Sequence, residues 1–196
     1  MSWTTFGETF VTLFVVMDPI GTAPVFLSLT RHQPRRGAQR AAVAASVAAM
    51  VVVLVFALFG KVVLGYLHVS LPSLSIAGGL LLVLVALEML QGEGAPAEGD
   101  TGIALVPLAT PLLAGPGAIA TVMVLVSRHS GTASHLGIYL GILATVAVIA
   151  VVFLLADQLA KWVPASALHF LTRIFGFLLA AIAVQLVVDG ATALAR

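Results

Sequence analysis

The sequence predicts an all-α polytopic membrane protein with six transmembrane helices. They form a 3+3 inverted-topology repeat, and the first and fourth are broken near the membrane interior. Composition, the layout of the apolar runs and a proline-bearing motif that occurs twice lead to this reading. Of the 196 residues, 61% are hydrophobic and only 9% are charged, whereas soluble domains carry about 25% Asp, Glu, Lys and Arg. So few polar side chains cannot cover the surface of a soluble fold. The apolar runs are continuous rather than alternating, which argues against a transmembrane barrel.

A spanning helix takes roughly 20 residues, and six apolar segments of about that length stand out. They run at about 5–30, 41–66, 72–91, 103–127, 136–157 and 168–189. Between the third and fourth lies Gly92–Gly102, a Gly/Pro/acidic stretch that reads as the one real loop. The chain thus divides into a first three-helix repeat at 1–92, a polar connection at 93–102 and a second repeat at 103–196, all within one transmembrane domain. With the N-terminus outside, Arg31, Arg35, Arg36, Arg40, Lys161 and Arg173 fall on the cytoplasmic side, and Lys61, Arg128 and Arg196 on the other. The Lys/Arg bias therefore favours both termini outside.

Other features exclude whole classes. A net charge of +1 with one short basic cluster gives nucleic-acid binding little support. The absence of cysteine removes disulfides and thiolate metal sites. Met1 to Phe10 has no Lys or Arg and no small-residue cleavage site, so a cleaved signal peptide is not expected. No P-loop pattern is present, and neither are the His-Glu-x-x-His and Gly-x-Ser-x-Gly patterns. With no second deep carboxylate to pair with Asp18, the chain is not expected to be an enzyme.

The repeat rests on two matches. Asp18-Pro19-Ile20-Gly21-Thr22-Ala23-Pro24 aligns with Thr110-Pro111-Leu112-Leu113-Ala114-Gly115-Pro116, with equal proline spacing. Ile76-Ala77-Gly78-Gly79-Leu80-Leu81-Leu82 aligns with Arg173-Ile174-Phe175-Gly176-Phe177-Leu178-Leu179, and the same register sets Phe56 against Phe153 and Glu88 against Gln185. Repeats of three spans insert with opposite topology, which is the plan of many secondary transporters.

Proline inside a helix removes a hydrogen bond and crowds the preceding turn. Pro19 and Pro24 around Gly21, and Pro111 and Pro116 beside Gly115 and Gly117, should open the first and fourth helices. From Thr4 to Met17 the chain descends about 21 Å, and from Gly102 to Thr110 it rises about 14 Å, at about 1.5 Å per residue. In a core about 30 Å thick the two breaks meet at one level. Second half-helices starting near Pro24 and Pro116 would point N–H groups into the break, which suits a carboxylate. The unpaired carbonyls of the first halves, with Asp18 beside them, suit an ammonium group or a small cation.

The candidate substrate-binding residues are therefore Asp18, Pro19, Gly21, Thr22, Ala23, Pro24, Thr110, Pro111, Ala114, Gly115, Pro116, Gly117 and Thr121, with Gly78 and Gly79 from the third span. Each carries a simpler reading. Asp18 also fits as a helix cap, the threonines as back-bonded helix residues, and Gly78, Gly79 and Gly176 as close-packing points. An intramembrane carboxylate is nonetheless costly and usually functional, so Asp18 is the candidate carrier for H⁺ or Na⁺. Glu88, Gln185, Asp157 and Asp189 fall at span ends as interfacial groups. The histidines His32, His68, His129, His135 and His169 read as solvated, with no metal-ligand spacing.

Read with their flanks, Asp18 to Thr30 and Pro107 to Thr121 resemble the signature of the MarC family of integral membrane proteins, and Ile76 to Leu82 is a third match. The resemblance covers essentially the whole chain. It implies a six-helix, multi-pass protein of the cell inner membrane. Some members, the SnatA-type proteins, transport small neutral amino acids such as glycine and alanine. The implied substrate site is Asp18–Pro24 with Thr110–Gly117.

The leading expectation is a secondary transporter working by alternating access, with substrate between the two breaks. No cofactor or metal is expected beyond a coupling H⁺ or Na⁺. The expected partners are the lipid bilayer and a small zwitterionic substrate, with no nucleic acid, and self-association into a homo-oligomer stays open. The alternatives are a channel or exporter for another small solute, or a non-transporting membrane scaffold.

Overall fold

The computed structural model describes residues 2–30, 32–91 and 114–195. All regular structure among them is helical: α1 (Trp3–Met17), α2 (Pro19–Thr30), α3 (Arg35–Leu67), α4 (Leu71–Gln91), α5 (Pro116–Arg128), α6 (Thr132–Leu154), α7 (Ala156–Trp162) and α8 (Ala165–Leu194). Four of these, α3, α4, α6 and α8, are long and apolar enough to cross a membrane, and α1 with α2, bent by 42° at the break between them, is long and apolar enough as a pair. The expected loop Gly92–Gly102 and the first half of the fourth span lie outside the described residues; the second half is α5.

Local chemistry sets the ends. Ser2 caps α1 by accepting the Thr5 N–H (3.3 Å), and Ser70 caps α4 by accepting the Ser73 N–H (3.2 Å). The first connection is shorter than expected, because α3 begins directly after extended Pro34 and carries Arg35, Arg36 and Arg40 in its opening turns. Proline cannot donate the hydrogen bond a preceding helix would need, but it leaves the next residues free to coil. The fifth span also differs: α6 stops at Leu154, and α7 continues after a bend at Leu155.

Small residues build the contacts. Along α3, Ala42, Ala45, Ala49, Val53 and Ala57 face inward, while Val43, Val47, Val51, Val55, Leu58 and Val62 form an exposed apolar stripe. Such a stripe suits hydrocarbon, and small residues let helix backbones approach inside it. In α5 every residue from Ala120 through Val126 is buried, so this short helix sits inside the bundle. It packs against α1, α3 and α4, while α4 lies along α8 and α1 along α6.

Candidate functional site

The first helix breaks at Asp18. Its backbone is left-handed (φ 37°, ψ 69°) and its N–H still donates to the Phe14 carbonyl (3.1 Å), so the residue closes α1. Aspartate is among the few residues that enter this region readily. Asp18 also opens α2, since its Oδ1 accepts the Gly21 N–H (3.0 Å) as an N-cap does. Pro19 follows at the first helical position, where its missing N–H costs nothing. The Asp18 carbonyl accepts from both the Thr22 N–H (3.0 Å) and the Thr22 hydroxyl (2.7 Å). A Cβ on Gly21 would run into the Asp18 carboxylate. Asp18, Pro19, Thr22 and Ala23 are all buried.

This corrects the expected start of the second half-helix. It begins at Pro19, and Pro24 lies inside α2 on an exposed face. The αL turn at Asp18 already redirects the chain, so the helix restarts immediately. Proline at 24 merely frees the Ile20 carbonyl four residues earlier.

Thr110 and Pro111 lie outside the described residues. Downstream, Ala114 is buried, Gly115 is the extended N-cap of α5 (φ −64°, ψ 171°) with no side-chain cap, and Pro116 takes the first helical position as expected. The N–H groups of Gly117 and Ala118 therefore open α5 with no anionic cap among the described residues. Ala114 and Ala118 belong to the same core cluster as Met17, the neighbour of Asp18.

Thr121 lies one turn further along α5 and is 3% exposed. Buried Thr9, Thr22, Thr30 and Thr145 each donate their hydroxyl to the carbonyl four residues back, at 2.7–2.9 Å. The Thr121 hydroxyl has no partner among the described residues. An orphaned hydroxyl is costly to bury, and it sits on the helix whose N-cap is Gly115, which has no side chain to cap with.

Gly78 and Gly79 are buried packing points. A Cβ on Gly78 would strike Ala120 of α5, and one on Gly79 would lie 2.7 Å from the Ala183 carbonyl oxygen of α8. Gly117 in turn meets Leu82 of α4.

A profile of MarC family integral membrane proteins matches residues 3–195. The chain belongs to the MarC family. It is 36% identical to a UPF0056 membrane protein of Methanocaldococcus jannaschii over 191 residues, covering 92% of this chain and 93% of that one. It is 32% identical over 186 residues to the Escherichia coli K12 protein named UPF0056 inner membrane protein YhgN, covering 92% of each. No solved structure matches. The protein is accordingly an integral membrane protein that crosses the bilayer several times.

In this MarC-family chain an ion pair and a histidine–carboxylate contact tie one end of the bundle together. Arg128, closing α5, pairs with Asp189 of α8, and His129 Nε2 lies 3.3 Å from a Glu8 carboxylate oxygen of α1. His135 approaches the His129 carbonyl (3.1 Å). His129 and His135 are thus half-buried structural groups rather than solvated ones. At the opposite end Phe26 of α2 stacks on Phe153 of α6, with ring centroids 4.5 Å apart and planes 7° off parallel. Sequence reading passed over both features: Glu8 sits inside an apolar run, and the Phe26 and Phe153 rings are far apart in sequence.

Proposed function

We propose that this chain is a secondary transporter of small neutral amino acids of glycine or alanine size, working by alternating access across the inner membrane. The observation that carries the proposal is an asymmetry between two helix N-termini whose neighbours Met17, Ala114 and Ala118 share one core cluster. At α2 the dipole end is already answered by the Asp18 carboxylate. At α5 no side chain among the described residues caps the dipole end, and one turn away the buried Thr121 hydroxyl has no partner among them. A zwitterion complements the pair: its carboxylate takes the Gly117 and Ala118 N–H groups, and its ammonium group takes the Asp18 side. Thr110 and Pro111 complete the second break in this reading. Asp18 carries the coupling H⁺ or Na⁺, and the chain performs no chemical step.

The alternating mechanism draws on an inverted repeat of residues 1–92 and 103–196, with both termini outside. Reciprocal contacts between α4 and α8 support it. Gly79 meets the Ala183 carbonyl and Val187, while Gly176 meets the Ala86 carbonyl and Leu90. In the repeat register Gly79 corresponds to Gly176, Ala183 to Ala86 and Val187 to Leu90. Such mutual contacts are what a two-fold relation produces. Under that orientation the Arg128–Asp189 and Glu8–His129 ties close the outer face.

The test is uptake of radiolabelled glycine and alanine into proteoliposomes, with and without an imposed H⁺ or Na⁺ gradient. Saturable uptake that follows one gradient is the expected result and names the ion. No uptake of either solute by folded protein would sink the amino acid assignment. Flux that never saturates would make the protein a channel.

A further inference from the structure

At the end of the bundle away from Trp3, α2, α3, α6 and α7 line an open cavity of about 110 Å³, whose charged lining residues Arg35, Asp157 and Lys161 are exposed at its mouth. Its apolar wall is the buried Phe26–Phe153 stack. Its polar lining includes Arg35 and Gln39 from α3 and Asp157, Gln158 and Lys161 from α7. Two cations, one carboxylate and two amides thus surround a space of small-solute size.

The charges do not neutralise one another. Among the described residues neither Arg35 nor Lys161 forms an ion pair with Asp157 or with another carboxylate. Asp157 and Lys161 are one helical turn apart on α7, a spacing at which opposite charges ordinarily meet. Here they line the cavity instead. Phe26, at its wall, lies about 12 Å along α2 from Asp18 at the usual helical rise. A space of this volume holds several waters and accommodates a solute with only a few heavy atoms.

We propose that this cavity is a second binding site for a small zwitterionic amino acid. Arg35 and Lys161 hold its carboxylate, Asp157 holds its ammonium group, and the Phe26–Phe153 stack separates it from the Asp18 break. The proposal rests on the transport reading above and adds to it a waiting site at the inner mouth. Charge-assisted hydrogen bonds of both signs give the site its selectivity for zwitterions over simple anions. The small volume, lined by charges of both signs, favours a free amino acid over a bulkier lipid headgroup.

Equilibrium binding of radiolabelled alanine to the purified full-length protein tests this. The wild type is expected to bind about two alanines per chain. Asp157→Asn and the pair Arg35→Gln/Lys161→Gln should each weaken one of the two sites at least about tenfold, as loss of a charge-assisted contact does. Lys161→Arg should restore most of the affinity lost in Lys161→Gln. Asp18→Asn should remove the other site and leave this one intact. Two unchanged sites in the Asp157 and Arg35/Lys161 variants, with alanine uptake preserved, would overturn the second site and leave the transport reading standing. Absence of alanine binding and uptake in the wild type would overturn both. Phosphatidylethanolamine that copurifies with the wild type and is lost from the variants, with alanine binding unchanged, would assign the cavity to a lipid and overturn the proposal.

Discussion

Arg128, in the last turn of α5, pairs with Asp189 of α8, whose other carboxylate oxygen accepts a hydrogen bond from the Gln185 amide (2.7 Å). Both ionic groups are partly exposed, so the pair contributes at most about 1 kcal/mol to stability. Its location gives it more influence on motion than on folding, because it ties the buried α5 to a neighbouring helix at one end only. Bridging Arg128→Cys and Asp189→Cys with a short bis-thiol reagent should arrest alanine uptake, and reductant should restore it. The chain has no cysteine of its own, so labelling is confined to the introduced pair. Undiminished uptake by fully bridged protein would show that this end does not open.

Asp18 has a structural duty as N-cap and a proposed duty as carrier, and two substitutions separate them. Asparagine caps as well as aspartate and tolerates the same left-handed backbone. Asp18→Asn should therefore leave the thermal midpoint in detergent nearly unchanged while gradient-driven uptake falls at least about tenfold, since an amide exchanges no proton. Asp18→Ala loses the cap, about 1 kcal/mol, and meets the left-handed penalty of about 1–2 kcal/mol. It should unfold several degrees earlier. Gradient-dependent uptake at full rate in Asp18→Asn would end the carrier role.

The break at Asp18 and the helix start at Pro116 were legible because proline and glycine act locally, through a missing N–H and an open φ. The restart of α2 at Pro19 rather than Pro24 was not, because both prolines satisfy the same local rule. What decides between them is the side chain of Asp18 reaching the Gly21 N–H, which spacing alone does not reveal. Gly78 and Gly79 were legible as small residues, but which helices they admit depends on tertiary packing against Ala120 and Ala183. The pairs Glu8–His129 and Phe26–Phe153 join residues more than a hundred positions apart. Nothing in apolar periodicity sets the rotation of one helix against another.

Glycines in contact with a neighbouring backbone should behave differently from glycines in open space. At Gly79 an added Cβ would lie 2.7 Å from the Ala183 carbonyl oxygen, which cannot turn aside as a side chain can. Gly79→Ala should cost about 1–3 kcal/mol, the usual range for overpacking. At Gly7, inside α1, nothing lies within 4 Å of an added Cβ. Gly7→Ala should gain about 0.5–1 kcal/mol from the lower flexibility of the unfolded chain. Thermal unfolding of the two variants in the same detergent should move in opposite directions, and equal shifts would contradict the close approach of α4 and α8.

Thr121 should stand apart from the other buried threonines when its hydroxyl is replaced by a methyl group of similar volume. In Thr22→Val a bond to the Asp18 carbonyl is lost, so destabilisation of about 1 kcal/mol is expected. In Thr121→Val no bond among the described residues is lost. Removing a buried, unsatisfied polar group leaves stability unchanged or raises it, by as much as about 1–3 kcal/mol. If the hydroxyl serves the substrate at the start of α5, the same change should raise the KM for alanine about tenfold, as loss of a contact made equally in ground and transition states does. A variant that is both destabilised and kinetically unchanged would mean that Thr121 bonds within the protein and takes no part in binding.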